Sequence, residues 1–124
     1  MLQQINPPVT RRLPVAGGTL AYIRSALAGV VTQGTAAGAF SGFPLSRVCV
    51  AGKTGTAEVA VDGKYSNSLF VASFVGMVPA NDPKLLCMVV VDEPQNGEYG
   101  GTVAAPAFQK IVGWAVPYFG IDPK

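Results

Sequence analysis

The spacing of hydrophobic residues predicts a first helix in the N-terminal part of the chain. From Thr19 onward, apolar residues recur at intervals of three and four, which is the period of an amphipathic helix. Thr19 is placed to cap this helix, which is expected to end near residues 32–34. Residues 1–17 are expected to form an irregular lead-in, and a flexible loop is expected around Gly34 and Gly38. The apolar positions of the helix are Leu20, Ile23, Leu27, Val30 and Val31.

Three segments of strand character follow and are separated by turn signals. Residues 47–61 are rich in valine and threonine and predict the first strand. Asp62-Gly63 is a hairpin turn signal, and the turn is expected to extend through residues 64–67. The second strand is expected over residues 69–78 and the third over residues 84–91. The short connections predict an antiparallel three-stranded meander.

A second apolar stripe at helical spacing predicts a C-terminal helix. Thr102 is placed to cap it, and Pro106 falls in its first turns, where proline is tolerated. The order helix, three strands, helix indicates an α+β fold in which helices flank the meander. The stripe consists of Phe108, Ile111, Val112, Ala115 and Phe119.

The composition indicates a folded chain with few charges. Hydrophobic residues make up 49% of the 124 residues and charged residues 13%, roughly half the usual charged fraction of about 25%. A small domain of this kind is expected to cover apolar surface with a partner or with further sequence. The nine basic residues are scattered and the net charge is only +2. This distribution argues against nucleic-acid binding, which needs a basic face or stripe.

The sequence gives no sign of a metal, a cofactor or a membrane span. It contains no histidine, and Cys49 and Cys87 lie in apolar runs, so buried free thiols are expected. A disulfide would require their strands to be neighbours. The apolar runs are much shorter than the ~20 residues of a membrane helix, and the N-terminus lacks the apolar core of a signal peptide. By these signals alone, the chain would remain in the cytoplasm.

Candidate chemistry is concentrated in the stretch V-A-G-K-T-G-T-A-E, residues 50–58. Lys53 and the hydroxyls of Thr54 and Thr56 stand among glycines on a predicted strand. Because Gly55 has no Cβ, a ligand backbone is expected to approach the strand closely there.

Two interpretations of this stretch are general ones. A phosphate-binding P-loop requires G-x-x-x-x-G-K-[ST], but Arg47 occupies the position of the leading glycine and strand-like sequence continues beyond the lysine. Alternatively, Lys53 is an edge-strand lysine beside threonines that favour β structure, since a lone K-T-G tripeptide occurs often by chance.

A third interpretation uses the neighbouring sequence. K-T-G, together with S-x-x-K and S-D-N, marks penicillin-binding proteins and class A β-lactamases. Here R-V-C-V-A-G-K-T-G-T-A-E resembles the third-motif strand of class B penicillin-binding proteins, and S-F-V-G-M-V-P-A-N-D-P-K-L-L-C-M-V-V-V-D-E-P-Q resembles the next two strands. Y-G-G-T-V-A-A-P-A-F-Q-K-I resembles the start of that family's C-terminal helix, and L-A-G-V-V-T-Q-G-T-A-A the preceding helix and loop. The resemblance covers roughly residues 15–122 and is closest to the division-specific, septal transpeptidases; Ala57 favours them over β-lactamases, which usually carry glycine there.

The resemblance implies a five-stranded antiparallel sheet between helical layers, with residues 18–124 forming its C-terminal part. No serine is followed by lysine three residues later, and there is no S-x-N motif. The nucleophilic serine, the first two strands and a membrane anchor are therefore expected in sequence upstream. The complete family member would be anchored in the bacterial plasma membrane, with its catalytic domain outside the cytoplasm.

The implied activity is D,D-transpeptidation through a serine acyl-enzyme, which cross-links peptidoglycan during cell division. Lys53 would act on the serine electrostatically and in proton transfer, while Thr54 and Thr56 would bind the carboxylate of a D-alanyl-D-alanine stem peptide, which β-lactams imitate. The backbone N–H of Thr56 would be an oxyanion donor. Gly55, Ala57 and Glu58 would lie along the substrate, and Tyr99 would wall the cleft.

Several alternatives remain open at this point. Glu58 could be a solvated strand charge, Tyr99 could be an exposed turn aromatic, and the chain could be a scaffold or interaction domain that retains the fold without the chemistry. Because neither a helix N-terminus nor a glycine nest is evident near Thr54 and Thr56, the site is expected to bind a carboxylate and not a phosphate. The chain alone is expected to be inactive, with the upstream part of the same domain as its partner.

Overall fold

The computed structural model describes residues 11–122 of the chain. Its elements follow the predicted order. They are helix α1 (Gly17–Thr32), a short 3-10 helix (Ala37–Phe40), strands β1 (Ala51–Val61), β2 (Lys64–Val78) and β3 (Leu85–Asp92), and helix α2 (Gly100–Tyr118).

The three strands form an antiparallel meander in the order β1-β2-β3, as predicted. The turn between β1 and β2 is shorter than expected. Asp62 and Gly63 have φ values of 51° and 77°, which is the geometry of a two-residue type I′ turn. Pairing resumes at once, since Lys64 lies opposite Val61 and Tyr65 opposite Ala60. The predicted extension of the turn through residues 64–67 is therefore wrong.

Backbone hydrogen bonds explain three other errors at element boundaries. The carbonyl of Pro44 accepts bonds from the N–H groups of Arg47 and Val48, each at 2.9 Å, so residues 47–50 precede β1 instead of starting it. Helix α1 begins at Gly17 because the Leu20 N–H already bonds to the Ala16 carbonyl, and Thr19 therefore lies inside the first turn. Thr102 is likewise inside α2, whose N-cap residue is Tyr99.

The main core lies between one face of the sheet and α2. Ala72, Phe74 and Val78 alternate along β2 and are fully buried, as the period of two requires for one face of a strand. The rings of Phe74 and Phe108 lie 4.8 Å apart in an edge contact. Burial of each such side chain contributes about 1.5–3 kcal/mol. This contact fixes α2 against the sheet and thereby fixes the position of its N-terminus.

The segment after α1 is a core element and not the flexible loop expected from its glycines. Ala36 is fully buried and Phe40, at the end of the 3-10 helix, is 2% exposed. The Phe40 ring contacts Phe74 and Phe108, with centroids 6.0 and 6.2 Å away. Burial of the Phe40 side chain therefore holds the whole segment between α1 and the end of the 3-10 helix against the sheet.

Some predicted core residues lie on the surface. Ile111 on α2 and Phe119 just after it are exposed, and Val116 of α2 is buried instead. In α1 the exposed residues of the predicted stripe are Leu20 and Ile23. Helical spacing predicts an apolar stripe along a helix. It does not reveal which residues of that stripe are buried by other elements of the fold.

The two cysteines are free, which excludes the disulfide alternative. Cys87 is half-buried beside the core, and burial raises the pKa of its thiol. Cys49 is exposed, contrary to expectation, because it precedes β1.

The opposite face of the sheet is apolar, and its β3 side is exposed within residues 11–122. Leu86, Met88 and Val90 alternate along β3 and are 72%, 62% and 52% exposed, and Val75 of β2 lies opposite Met88. These four residues are called the apolar outer face below. Neither helix of the described part is long and apolar enough to cross a membrane.

Candidate active site

Strand β1 brings Thr54 and Thr56 to one cleft because residues two apart on a strand share a face. The cleft has a volume of about 460 Å³. It is called the K-T-G cleft below and is lined by Thr35, Lys53, Thr54, Thr56, Tyr99 and residues 100–102. β1 is an edge strand of the described sheet, since its strand neighbour there is β2. The cleft is thus bounded by the edge strand, the segment after α1 and the start of α2.

The N-terminus of α2 lies directly against the threonines. The Gly100 N–H donates a hydrogen bond of 3.2 Å to Thr56 Oγ1. The first N–H groups of a helix lack partners within the helix and carry a partial positive charge. The expectation that no helix N-terminus lies near Thr54 and Thr56 is therefore wrong. The positive end of α2 favours an anion in the cleft, and by itself it does not distinguish carboxylate from phosphate.

Two glycines allow this close approach of α2. A Cβ on Gly100 would overlap the carbonyl oxygen of Ser73 and the backbone of Gly55. A Cβ on Gly101 would overlap the carbonyl oxygen of Thr35. The two glycines are thus required by packing of the helix start against β1, β2 and the segment after α1.

Thr35 belongs to the cleft although sequence reasoning did not identify it. Its Oγ1 lies 2.9 Å from Thr54 Oγ1, so the two hydroxyls are hydrogen-bonded. Thr35 is positioned by the buried residues that follow it, Ala36 and Phe40. The sequence L-A-G-V-V-T-Q-G-T-A-A, which contains Thr35, resembles the family's helix and loop. The resemblance did not indicate that the Thr35 hydroxyl would contact Thr54.

The positively charged side chain of Lys53 borders the cleft and is not neutralised by a carboxylate of the described residues. Its side chain is exposed, and its Nζ donates a hydrogen bond of 2.7 Å to the carbonyl oxygen of Thr54. Among residues 11–122 it forms no salt bridge with a carboxylate. Lys53 also borders a second opening, about 560 Å³ in volume, that runs along α1 past Tyr22 and Ser25. The ammonium group therefore stands where the cleft and this groove meet.

The space beside Gly55 is restricted by packing within the chain, although the nearest atom, Ser73 Oγ, ends a side chain that can rotate away. A Cβ there would overlap Ser73 Oγ, and the neighbouring backbone surface is covered by Gly100. Packing within the chain thus gives a further reason for a glycine at this position, and the close approach of a ligand to Gly55 stays a prediction.

The other predicted residues differ in their relation to the cleft. Tyr99 lines it and is 61% exposed. A hydrogen bond and the negative charge of Glu98 raise the pKa of the Tyr99 phenol. Glu58 is exposed opposite Phe70, on the same face as Thr56, and Ala57 points to the other face. Neither residue lines the cleft, so their roles stay predictions.

The structure also argues against the P-loop interpretation of the motif. Gly52, Lys53 and Thr54 lie inside β1, whereas a P-loop connects a strand to a helix. No group of three or more side chains suited to hold a metal occurs within the described residues.

K-T-G is one of the three motifs that together mark penicillin-binding proteins and class A β-lactamases, and here it lies on the edge strand beside the N-terminus of α2. Comparison with known proteins gives the family. The sequence matches the penicillin binding protein transpeptidase domain over residues 2–113. The chain belongs to this family, and the resemblance inferred from its motifs is confirmed.

The relatives include several peptidoglycan enzymes. Stage V sporulation protein D of Bacillus subtilis is 39% identical over 118 residues, which cover 94% of this chain and 18% of the relative. The probable peptidoglycan D,D-transpeptidase PenA of Neisseria flavescens is 35% identical over 124 residues, covering 98% of this chain and 30% of the relative. Peptidoglycan D,D-transpeptidase FtsI of Escherichia coli is 42% identical over 76 residues, which cover 60% of this chain and 13% of the relative.

Solved structures support the same assignment. The transpeptidase domain of Burkholderia pseudomallei penicillin-binding protein 3 matches with a TM-score of 0.68 and 37% identity, covering 82% of this chain and 30% of that one. Penicillin-binding protein 3 of Mycobacterium tuberculosis, complexed with ampicillin, matches with a TM-score of 0.69 and 28% identity. The match covers 82% of this chain and 24% of that one. The chain therefore spans less than a third of the length of each of these relatives and structures.

Proposed function

We propose that this chain supplies the K-T-G part of the active site of a serine D,D-transpeptidase that cross-links peptidoglycan in cell-wall synthesis and division. One observation carries the proposal. Thr54, Thr56, Lys53 and the N-terminus of α2 converge on a single cleft of about 460 Å³. Two hydroxyls, a cation and a helix N-terminus form a site for an anionic group.

The anionic group is the terminal carboxylate of a D-alanyl-D-alanine stem peptide. The hydroxyls of Thr54 and Thr56 donate to it, and the helix end and Lys53 supply positive potential. Thr35 holds the Thr54 hydroxyl in position through their 2.9 Å contact. Two related penicillin-binding protein 3 structures from Mycobacterium tuberculosis are complexes with ampicillin and aztreonam, β-lactams that carry an anionic group near the reactive ring. This supports a site that holds an anionic group beside a carbonyl.

The reaction proceeds by acyl transfer to a serine supplied from sequence upstream of this segment. The serine oxygen attacks the carbonyl between the two D-alanines and loses its proton, and the terminal D-alanine leaves as the protonated amine. An amine of a second stem then attacks the acyl-enzyme, forms the cross-link and releases the serine. Lys53 stabilises the negative charge near the serine and takes part in proton transfer. The Thr56 N–H stabilises the oxyanion together with the N–H of the serine.

The upstream part of the domain completes the structure as well as the chemistry. It covers the apolar outer face and pairs with the free edge of β3. It also places the serine at the junction of the K-T-G cleft and the groove along α1, within reach of Lys53. The complete protein is anchored through its upstream sequence, with this segment outside the cytoplasm, and the segment alone is inactive.

The experiment that tests this function measures acylation of the complete transpeptidase domain that contains this segment. Because the charge of Lys53 acts at the serine, Lys53→Ala is expected to reduce the rate of labelling by a fluorescent penicillin by at least about 10²-fold. The melting temperature should change by no more than a few degrees, because the side chain is exposed.

The matched control is Lys64→Ala, which removes an exposed lysine of the same sheet at the hairpin end. This variant is expected to label at the wild-type rate. If the Lys53→Ala variant and the wild-type domain were labelled at equal rates, Lys53 would be an edge-strand lysine without a catalytic role. That result would favour a scaffold role for the segment.

A further inference from the structure

Each threonine hydroxyl of the K-T-G cleft has a hydrogen-bond partner that comes from a different element. Thr56 Oγ1 accepts from the Gly100 N–H of α2 at 3.2 Å. Thr54 Oγ1 lies 2.9 Å from Thr35 Oγ1, which belongs to the segment after α1. The bond from Gly100 has one possible direction, because an N–H group only donates. The bond between the two hydroxyls has two possible directions, and the ligand decides between them.

An ionised carboxylate in the cleft fixes the direction of the Thr35–Thr54 bond. A carboxylate only accepts hydrogen bonds, and a hydroxyl has a single proton to donate. When Thr54 donates that proton to the carboxylate, its oxygen can only accept from Thr35, so Thr35 is the donor of the 2.9 Å bond. Thr35 then does for Thr54 what the Gly100 N–H does for Thr56. Both threonine protons are left free to point at the ligand.

The backbone on both sides of Thr35 is bonded to the end of α1. The Gly34 N–H donates to the Gly29 carbonyl at 2.8 Å, and the Ala36 N–H donates to the Val30 carbonyl at 3.0 Å. A Cβ on Gly34 would overlap the Val30 backbone, so the chain can approach the helix this closely only with glycine there. The Thr35 hydroxyl is therefore held in place before a ligand arrives, which lowers the entropy cost of binding.

We propose that Thr35 is a positioning residue for the substrate carboxylate. Its hydroxyl donates to Thr54 Oγ1 and thereby turns the Thr54 proton toward the carboxylate, which Thr35 itself does not contact. This inference rests on the proposed transpeptidase function and makes it more specific. It adds to carboxylate recognition a residue that lies 18 positions before Lys53 and outside the K-T-G motif.

The test uses the complete transpeptidase domain that contains this segment. Acylation by benzylpenicillin and by its methyl ester, which lacks the anionic carboxylate, is measured in competition with a fluorescent penicillin. In Thr35→Val the second-order rate for benzylpenicillin should fall about threefold to tenfold, as loss of one hydrogen bond provides, and the rate for the ester should stay within about twofold. Thr35→Ser keeps the hydroxyl and should restore the wild-type rates. Thr32→Val, the same change at an exposed threonine outside the cleft, should leave both rates unchanged.

A double-mutant cycle separates positioning from the other roles that Thr35 could have. Because Thr35 acts through the Thr54 hydroxyl, Thr35→Val should cause no further loss of benzylpenicillin acylation in a Thr54→Val domain. A purely structural role would slow acylation by both compounds and would persist in that domain. A direct contact between Thr35 and the carboxylate would also persist there.

The outcomes also separate this inference from the proposed function. A wild-type rate for benzylpenicillin in Thr35→Val, an equal loss for the ester, or an undiminished loss in the Thr54→Val domain would each overturn the positioning role. Penicillin labelling of the wild-type domain would still support the transpeptidase in all three cases. Absence of labelling in the wild-type domain would overturn both.

Discussion

At the scale of single residues, Thr56 combines a structural contact with its proposed substrate contact. Its hydroxyl accepts the hydrogen bond from the Gly100 N–H and therefore keeps its own proton available for an anionic ligand. The hydroxyl thus links the position of α2 to the anion site. This dual contact changes what a substitution at Thr56 is expected to do.

Thr56→Val removes the hydroxyl and keeps the shape and β propensity of the side chain. In the complete domain, the free energy of unfolding should fall by about 1 kcal/mol, because the Gly100 N–H loses its partner. Capture of carboxylate-bearing β-lactams should weaken by roughly 1.5–3 kcal/mol, which is typical of one hydrogen bond to a charged group. The second-order rate of acylation and the denaturant midpoint measure the two effects.

Thr32→Val is the control for this replacement, because Thr32 is exposed on α1 and its hydroxyl bonds to the Ala28 carbonyl of its own helix. It should leave acylation unchanged. Undiminished acylation in the Thr56→Val domain, together with micromolar binding of magnesium-ATP in calorimetry, would replace the carboxylate assignment by a nucleotide site.

At this scale the sequence identified the residues of the motif but not their partners. Lys53, Thr54 and Thr56 were predicted from K-T-G-T, and the structure brings all three to one cleft. Thr35 contacts Thr54 across 19 positions, and Gly100 contacts Thr56 across 44. Contacts this distant in sequence depend on how helices pack on the sheet. Local spacing in one sequence carries no information about them.

At the scale of elements, the position of α2 decides the shape of the site. Phe108 anchors the helix to Phe74 of the sheet, and Gly100 lets its N-terminus lie on β1 and β2. A side chain at residue 100 should therefore shift the helix end and the Thr56 contact together.

Gly100→Ala is expected to lower the free energy of unfolding of the complete domain by about 1–3 kcal/mol, because the added methyl group overlaps backbone atoms that cannot rotate away. Acylation should fall by about tenfold or more, since the helix end moves relative to the threonines. Thermal unfolding and penicillin labelling measure these effects separately.

The same substitution at Gly113 of α2 provides the comparison. There the new Cβ would lie 3.5 Å from the Phe43 ring, which is ordinary contact, and alanine favours a helix by up to about 1 kcal/mol over glycine. Gly113→Ala should be neutral or stabilising with normal acylation. If Gly100→Ala behaved in the same way, the proposed docking of α2 would be wrong.

Element order and sheet topology could be predicted because they depend on local periodicity and turn residues. The third strand was predicted within one residue of its observed bounds, Leu85–Asp92. The errors occur where nonlocal contacts decide. Phe40 turns an apparent loop into part of the core, while Phe119 continues an apolar stripe past the end of α2 and is exposed.

At the scale of the whole molecule, the apolar outer face and the low charge content have a common explanation. The chain spans less than a third of its relatives, and the face formed by Val75, Leu86, Met88 and Val90 is uncovered within the described residues. Contiguous exposed apolar surface of this kind marks a site of contact. In our proposal, the upstream part of the transpeptidase domain fills it and brings the serine to Lys53.

The central claim is that this segment holds the substrate carboxylate while another segment provides the nucleophile. The most direct measurement is to treat the 124-residue chain and the complete domain with penicillin, digest both, and locate the covalent adduct by mass spectrometry. The account predicts one adduct on the complete domain, at a serine outside residues 1–124, and no adduct on the isolated chain. An adduct on any serine, threonine or lysine within residues 1–124, in either sample, would contradict it.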